Sequence, residues 1–182
     1  EDEASIAAAA NTLKDQGPFA LIIDATGALT IDGVGPEEHL GALDASKLLR
    51  SFQVNTIGPA LLLKHFLQLL RHERAIFAKL SARVGSISDN QKGGWYGYRA
   101  SKAALNMMLQ TAGIEFARKN KQAVIVALQP GTVASPLSQP FASASHTISA
   151  AESVSGLLKS IDALDPVNGA HFVDHAGQPI AW

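Results

Sequence analysis

The sequence predicts an α/β sandwich built on a mostly parallel sheet. Helical and strand patterns alternate along the chain, and the strand segments are short apolar runs without period-two alternation, as in strands covered on both faces. Each run also ends in a turn of small or polar residues. In a parallel sheet those turns share one edge, the edge where such folds gather ligands.

The 182 residues suit a single domain, 1–182, long enough to bury a sizeable core. With 47% hydrophobic and 17% charged residues the composition is that of a globular chain. The net charge of -1 gives no reason to expect nucleic acid or an anionic membrane as partner. Cysteine is absent, which excludes disulfides, zinc-thiolate sites and cysteine nucleophiles and is compatible with a reducing compartment. The longest apolar stretch, Ala60 to Leu70, is interrupted by Lys64, His65 and Gln68 and is too short to span a bilayer. Glu1-Asp2-Glu3 is acidic where a secretion signal is basic. A cytoplasmic protein is expected.

The acidic start followed by Ala4 to Leu13 predicts a helix with negative charge at its amino end, stopped by Gly17-Pro18. Phe19 to Asp24 reads as a strand buried on both faces, and Ala25-Thr26-Gly27 as a tight turn. Residues 28–43, with Gly33, Gly35, Pro36 and Gly41, read as a loop with a short helix at most. Asp44 caps a helix reaching Leu70, with a break expected at Gly58-Pro59. Ala75 to Leu80 is the second strand, ending in Ser81 to Ser86. A helix opening near Tyr98 runs through Phe116, and Ala123 to Leu128 is a third buried strand stopped by Pro130-Gly131. Thr132 to Thr147 reads as a loop or lid. Ser149 and Glu152 have capping-box spacing for a helix to about Leu164, and Gly169 to Asp174 is a last short strand.

Chemistry concentrates in Gly93 to Asn106. If Tyr98 opens a helix, Lys102 lies one turn on along the same face. A phenol alone titrates near pH ~10, and a cation within about 4–6 Å favours its anion, bringing the group closer to acid-base work near neutrality. The spacing alone describes a surface pair better than a catalytic one. What distinguishes the two is position: Asp24 to Gly27, Ser81 to Ser86, Pro130 to Ser135 and the start of the Tyr98 helix all fall on the same predicted sheet edge.

In that arrangement the chain resembles the short-chain dehydrogenases/reductases. Asp24-Ala25-Thr26-Gly27 is similar to the Asn-Asn-Ala-Gly turn after the family's fourth strand, with Asp24 where asparagine is usual. Val54 to Gly58 resembles the helix segment whose asparagine, here Asn55, holds a proton-relay water. Tyr98 and Lys102 match the catalytic pair, and Pro130 to Ser135 resembles the segment that contacts the nicotinamide. The resemblance implies a Rossmann-like three-layer α/β/α fold and an oxidoreductase that uses NAD or NADP on a small carbonyl or secondary alcohol. Tyr98 would exchange the proton, and Lys102 would lower its pKa and hold the cofactor ribose. Asp24, Ala25, Gly27, Lys102, Pro130, Gly131, Val133 and Ser135 would bind the cofactor. A homodimer or homotetramer is expected, because the family commonly pairs the helices bearing Asn55 and Lys102.

Two departures qualify the match. No glycine precedes Gly17, so the family's glycine-rich phosphate loop is not in this sequence, and by the family's order the chain starts just before the fourth strand. The Phe19 to Asp24 strand would then be an open apolar edge, so a preceding segment is expected, which a protein mass well above that of these residues would bear out. The catalytic serine is expected three residues before Gly85, where Ala82 stands. Ser81 is placed ahead of Ser86 as its substitute, although on a regular strand it points to the other face. The alternative is a non-catalytic protein of the same fold that binds a nucleotide or a partner in signalling. His39, His65, His72, His146, His171 and His175 show no metal-ligand spacing, so no metal site is expected. Trp95 is expected to line a pocket or to pack, and Met107 and Met108 to lie in a core or an interface.

Overall fold

A computed structural model describes residues 1–144 and 147–182. Strands β1 (Leu21–Asp24), β2 (Ala75–Leu80), β3 (Ala123–Gln129) and β4 (Ala170–Asp174) form one parallel sheet in the order β1-β2-β3-β4. Helices α1 (Glu3–Leu13), α2 (Ala45–Phe52), α3 (Gly58–Phe66), α4 (Tyr96–Ala117) and α5 (Ala150–Asp162) complete the order.

The strand side chains sort the layers. Phe77, Ile125 and Phe172 point to one face and bury against Leu63 of α3 and Leu105 and Leu109 of α4. Ile76, Val124, Val126 and Val173 point to the other and meet Leu157 and Ile161 of α5. Each of these large side chains contributes roughly 1.5–3 kcal/mol by leaving water, so β2 and β3, covered twice, are the stiff centre of the molecule. The long α4 lies close to the turn before β4 because Gly113 lacks a side chain: a Cβ there would stand 2.1 Å from the Gly169 carbonyl oxygen.

Local signals set the helix ends. The Asp2 carboxylate accepts the Ala4 N–H at 3.1 Å, and that of Asp44 accepts the Lys47 N–H at 3.1 Å. At α5, Ser149 Oγ accepts the Glu152 N–H at 3.1 Å while the Glu152 carboxylate accepts the Ser149 N–H at 2.9 Å, the reciprocal box its spacing predicts.

The structure departs from the sequence reading in several places. β1 starts at Leu21, and Phe19 joins the sheet side only through a single parallel bridge to Leu70. Nor is β1 buried on both faces: Leu21 is 38% and Ile23 45% exposed, because β1 is the outermost strand and no described element covers that face there. The helix from Asp44 does not break at Gly58-Pro59. It runs through a π-helical turn at Gln53–Ile57 into α3, whose first turn takes Pro59 where a missing N–H costs nothing. α4 begins at Tyr96, ahead of Tyr98, after Trp95 in the left-handed region (φ 53°). Met107 and Met108 are exposed on α4, outside the core. The 132–147 stretch carries a parallel bridge from Val133 to Ile148 and a short helical turn at Gln139–Ala144; His146 lies outside the described residues. No described helix is long and apolar enough to cross a membrane.

Candidate active site

All three predicted turns lie at the carboxyl ends of β1, β2 and β3, and α4 starts above them. At the first turn the Asp24 carboxylate accepts the Thr26 N–H at 2.8 Å and the Thr26 hydroxyl at 2.7 Å. Lys79, paired in register with Asp24 on β2, lies 3.1 Å from the same carboxylate and donates to the Thr26 carbonyl oxygen at 2.5 Å. The lysine is fully buried and Asp24 nearly so. Burial pulls the Lys79 ammonium below its ordinary range, and the Asp24 charge opposes that pull. Asp24 thus holds its own turn through Oδ1, with Ala25 and Gly27 exposed at the tip.

Asn55 sits in the π-helical turn and is fully buried. Its side-chain amide donates to the Ala28 carbonyl oxygen and accepts the Ala28 N–H, each at 2.9 Å, tying α2–α3 to the first turn. Lys102 reaches the same place from α4. A Cβ on Gly27 would stand 3.2 Å from both Asn55 Oδ1 and Lys102 Nζ, and Gly27 has φ 140°, so only glycine leaves this gap open without strain. Lys102 Nζ donates to the Leu80 carbonyl oxygen at 3.3 Å and lies 5.7 Å from the centroid of the Tyr98 ring. Burial first, and the like charge of Lys79 second, push Lys102 down to about 7, with Asp24 opposing.

Tyr98 faces a cavity of about 440 Å³, lined also by Pro130, Gly131, Val133 and Ser135 and by Trp95 and Phe141. Trp95 stands edge-on to Tyr98 at 6.3 Å and to Phe141 at 5.1 Å, so it both packs and lines the cavity. Ser153 of α5 donates to the Pro130 carbonyl oxygen at 2.6 Å, and Ser138 Oγ donates to that of Val133, which fixes the third turn. Burial pushes the Tyr98 hydroxyl up to about 12. That is opposite to the lowering expected from a neighbouring cation, since desolvation outweighs an ammonium that is itself half neutral near pH 7 and directed at Leu80.

The predicted residues therefore fall into two joined groups. Tyr98, Pro130, Gly131, Val133 and Ser135 share the cavity, while Lys102, Asn55, Gly27 and Asp24 meet at the first turn, and the Tyr98–Lys102 contact connects them. Ser81 joins neither group. It is buried and its hydroxyl donates to Asn106 Oδ1 at 2.7 Å, whereas Ala82 lines the cavity. Ser86, also buried, accepts the Asp89 N–H at 3.1 Å within its own turn. Sequence reasoning missed Lys79, although a lysine inside an otherwise apolar strand, level with an acid ending the neighbouring strand, is a signal that the two pair. Among the described residues no group of three or more metal-ligating side chains converges.

A profile of the family described as short chain dehydrogenase matches residues 1–146. C-signal of Myxococcus xanthus is 35% identical over 145 residues, covering 79% of this chain and 83% of that protein. The 1-hydroxy-2-glutathionyl-2-methyl-3-butene dehydrogenase of Rhodococcus sp. strain AD45 is 34% identical over 154 residues, covering 84% of this chain and 66% of that one. Among solved structures, an NADPH-bound carbonyl reductase from chicken fatty liver superposes with a TM-score of 0.83 at 27% identity, over 100% of this chain and 74% of that one. This chain thus spans between 66% and 83% of the length of these three proteins. With a profile matched across most of its length and a Tyr98–Lys102 pair at the expected sheet edge, the chain belongs to the short chain dehydrogenase family.

Proposed function

We propose that the protein is a cytoplasmic oxidoreductase that uses NAD or NADP to interconvert a small carbonyl compound and its alcohol, with Tyr98 as the proton donor and acceptor. The observation that carries this reading is a half-buried tyrosine, protonated near pH 7, at the wall of a cavity of about 440 Å³, one helical turn from a buried lysine. The residues present suit the nicotinamide-ribose half of such a cofactor. Gly27 leaves bare backbone beside the Lys102 ammonium, and Gly131, at φ 80°, opens the cavity wall where a Cβ would crowd Ile148 and His175. Ala25, Gly27, Lys102, Pro130, Gly131, Val133 and Ser135 would hold it, with Asp24 shaping the turn from below. When bound, the cofactor supplies the hydride.

The chain's own contribution is a proton and a shape. At neutral pH the Tyr98 hydroxyl, with its pKa at about 12, keeps its proton and can donate it to a carbonyl oxygen as negative charge develops there. The same phenol is a poor base until a bound partner or a fully charged Lys102 stabilises its anion. Lys102, near half-charged at pH 7, can take up or release a proton beside Tyr98, and Asn55 fixes the turn on which it rests. Ser81 acts on the carbonyl oxygen only if its hydroxyl leaves Asn106, and Ser86 only if it leaves Asp89. The exposed Leu49, Ile57, Met107 and Met108 support a homodimer or homotetramer, which light scattering measures.

The second reading, a protein of this fold that binds a nucleotide or partner without turnover, draws on Ala82 in the cavity and on the name of one relative, C-signal. One assay separates the two. The full-length protein is mixed with NADH or NADPH and a panel of aldehydes and ketones, and nicotinamide absorbance is followed. Turnover lost in Tyr98→Phe supports the oxidoreductase. Cofactor binding with no turnover on any carbonyl supports the second reading and overturns the first.

A further inference from the structure

The helix that carries Tyr98 starts without help from its own cap residue. Trp95 occupies the cap position in the left-handed region and provides no side-chain hydrogen bond to the free N–H groups of the first turn. The help comes from a distant loop. Glu37, only 8% exposed, accepts the Gly97 N–H on its Oε2 at 2.9 Å across 60 residues of sequence, and its backbone carbonyl oxygen accepts the Trp95 N–H. The fit is tight on the helix side: a Cβ on Gly97 would lie 3.0 Å from Glu37 Oε1, 3.3 Å from Oε2 and 3.2 Å from Leu48 Cδ2. A carboxylate at this end of a helix is also favoured by the helix dipole. Glu37 and Tyr98 line one smaller cavity of about 300 Å³, beside α2.

We propose that Glu37 is a positioning residue for Tyr98: by gripping Gly97 and Trp95 it fixes the first turn of α4, and so the place of the phenol at the cavity wall. This rests on the oxidoreductase reading above for its consequence in turnover, but not for its geometry. The loop 28–43 thereby has a task that its glycines and prolines do not suggest, and Gly97 is required small because the carboxylate fills its side-chain space. A displacement of the phenol by about 1 Å is enough to cost on the order of 100-fold in rate while leaving cofactor contacts made elsewhere intact.

The test uses the full-length protein with Glu37→Ala, Glu37→Gln and Gly97→Ala. Glutamine keeps an oxygen that can accept the Gly97 N–H; alanine at either position removes or displaces the grip. Glu37→Ala and Gly97→Ala are expected to lower kcat about 10- to 100-fold, with KM for the cofactor within about three-fold of wild type, while Glu37→Gln recovers most of kcat. Hydrogen exchange, read by mass spectrometry on the peptide containing Gly97 in the protein without substrate, should quicken in Glu37→Ala and stay slow in Glu37→Gln. Unchanged exchange in Glu37→Ala, or equal loss of kcat and cofactor binding in all three variants, overturns the positioning role. Absence of turnover in the wild type overturns the oxidoreductase reading instead, and the exchange comparison still decides whether Glu37 holds the helix.

Discussion

Replacing Lys102 by methionine should make the protein without cofactor more stable, and the gain should depend on pH. Lys102 is 3% exposed, its ammonium has one hydrogen bond among the described residues, to the Leu80 carbonyl oxygen at 3.3 Å, and Lys79 adds a like charge nearby. Its pKa falls from an ordinary 10.5 to about 7. At about 1.4 kcal/mol for each pH unit, keeping it charged in the fold costs at most on the order of 5 kcal/mol relative to water. Methionine matches the length of the side chain without the charge. Allowing about 1 kcal/mol for the lost bond, and for relaxation around the wild-type ammonium, the net gain near pH 6 should be about 2 kcal/mol, or about 4–8 °C in Tm for a chain of this size. The sign follows from proton counting. Between pH 7 and 10.5 the unfolded chain still binds the lysine proton that the folded protein has released, so wild-type stability rises with pH across that window. The advantage of Lys102→Met should therefore be largest below pH 7 and shrink towards pH 10. Thermal unfolding at pH 6, 8 and 10, followed by circular dichroism, measures this. A variant less stable than wild type at pH 6, or an advantage equal at all three values, would refute the reasoning.

Two further outcomes follow from the same geometry. Asp24→Ala leaves the buried Lys79 ammonium without its countercharge and should destabilise the protein by about 3–5 kcal/mol in urea titration, whereas Asp24→Asn, which still accepts hydrogen bonds, should cost less. Ser81→Ala and Ser86→Ala should each keep kcat within about ten-fold of wild type, since the two hydroxyls are engaged with Asn106 and Asp89 and neither lines the cavity; a loss comparable to that of Tyr98→Phe would show that one of them turns to the substrate.

What was legible in the sequence was what neighbouring residues decide. The apolar runs of β2 and β3, the capping box of Ser149 and Glu152 and the cap at Asp44 depend on residues a few positions apart, and the structure has them where the pattern places them. Alternation along a strand also indicated that Ser81 would point away from the face of Ala82, and Asn106 is what it meets. Position at the strand ends brought Tyr98, Lys102, Asn55 and the Pro130 turn to one edge. The remainder depends on contacts distant in sequence. Apolarity alone made β1 look buried on both faces, but an outermost strand is covered only where another element lies over it. The expected lowering of the Tyr98 pKa considered the lysine and not the burial of both groups, and burial is a property of the whole fold. Glu37 gripping Gly97 across 60 residues had no local signal at all.

The central claim is that the Tyr98 hydroxyl gives the proton during carbonyl reduction, and single-turnover kinetics test it most directly. The full-length protein is preloaded with reduced cofactor, a carbonyl found active in the panel is added at pH 7, and the loss of nicotinamide absorbance is timed for wild type and for Tyr98→Phe, with cofactor binding checked by fluorescence titration. The account predicts a rate about 10²- to 10⁴-fold lower in Tyr98→Phe with cofactor affinity unchanged. A Tyr98→Phe variant that reduces the carbonyl at the wild-type rate would contradict it.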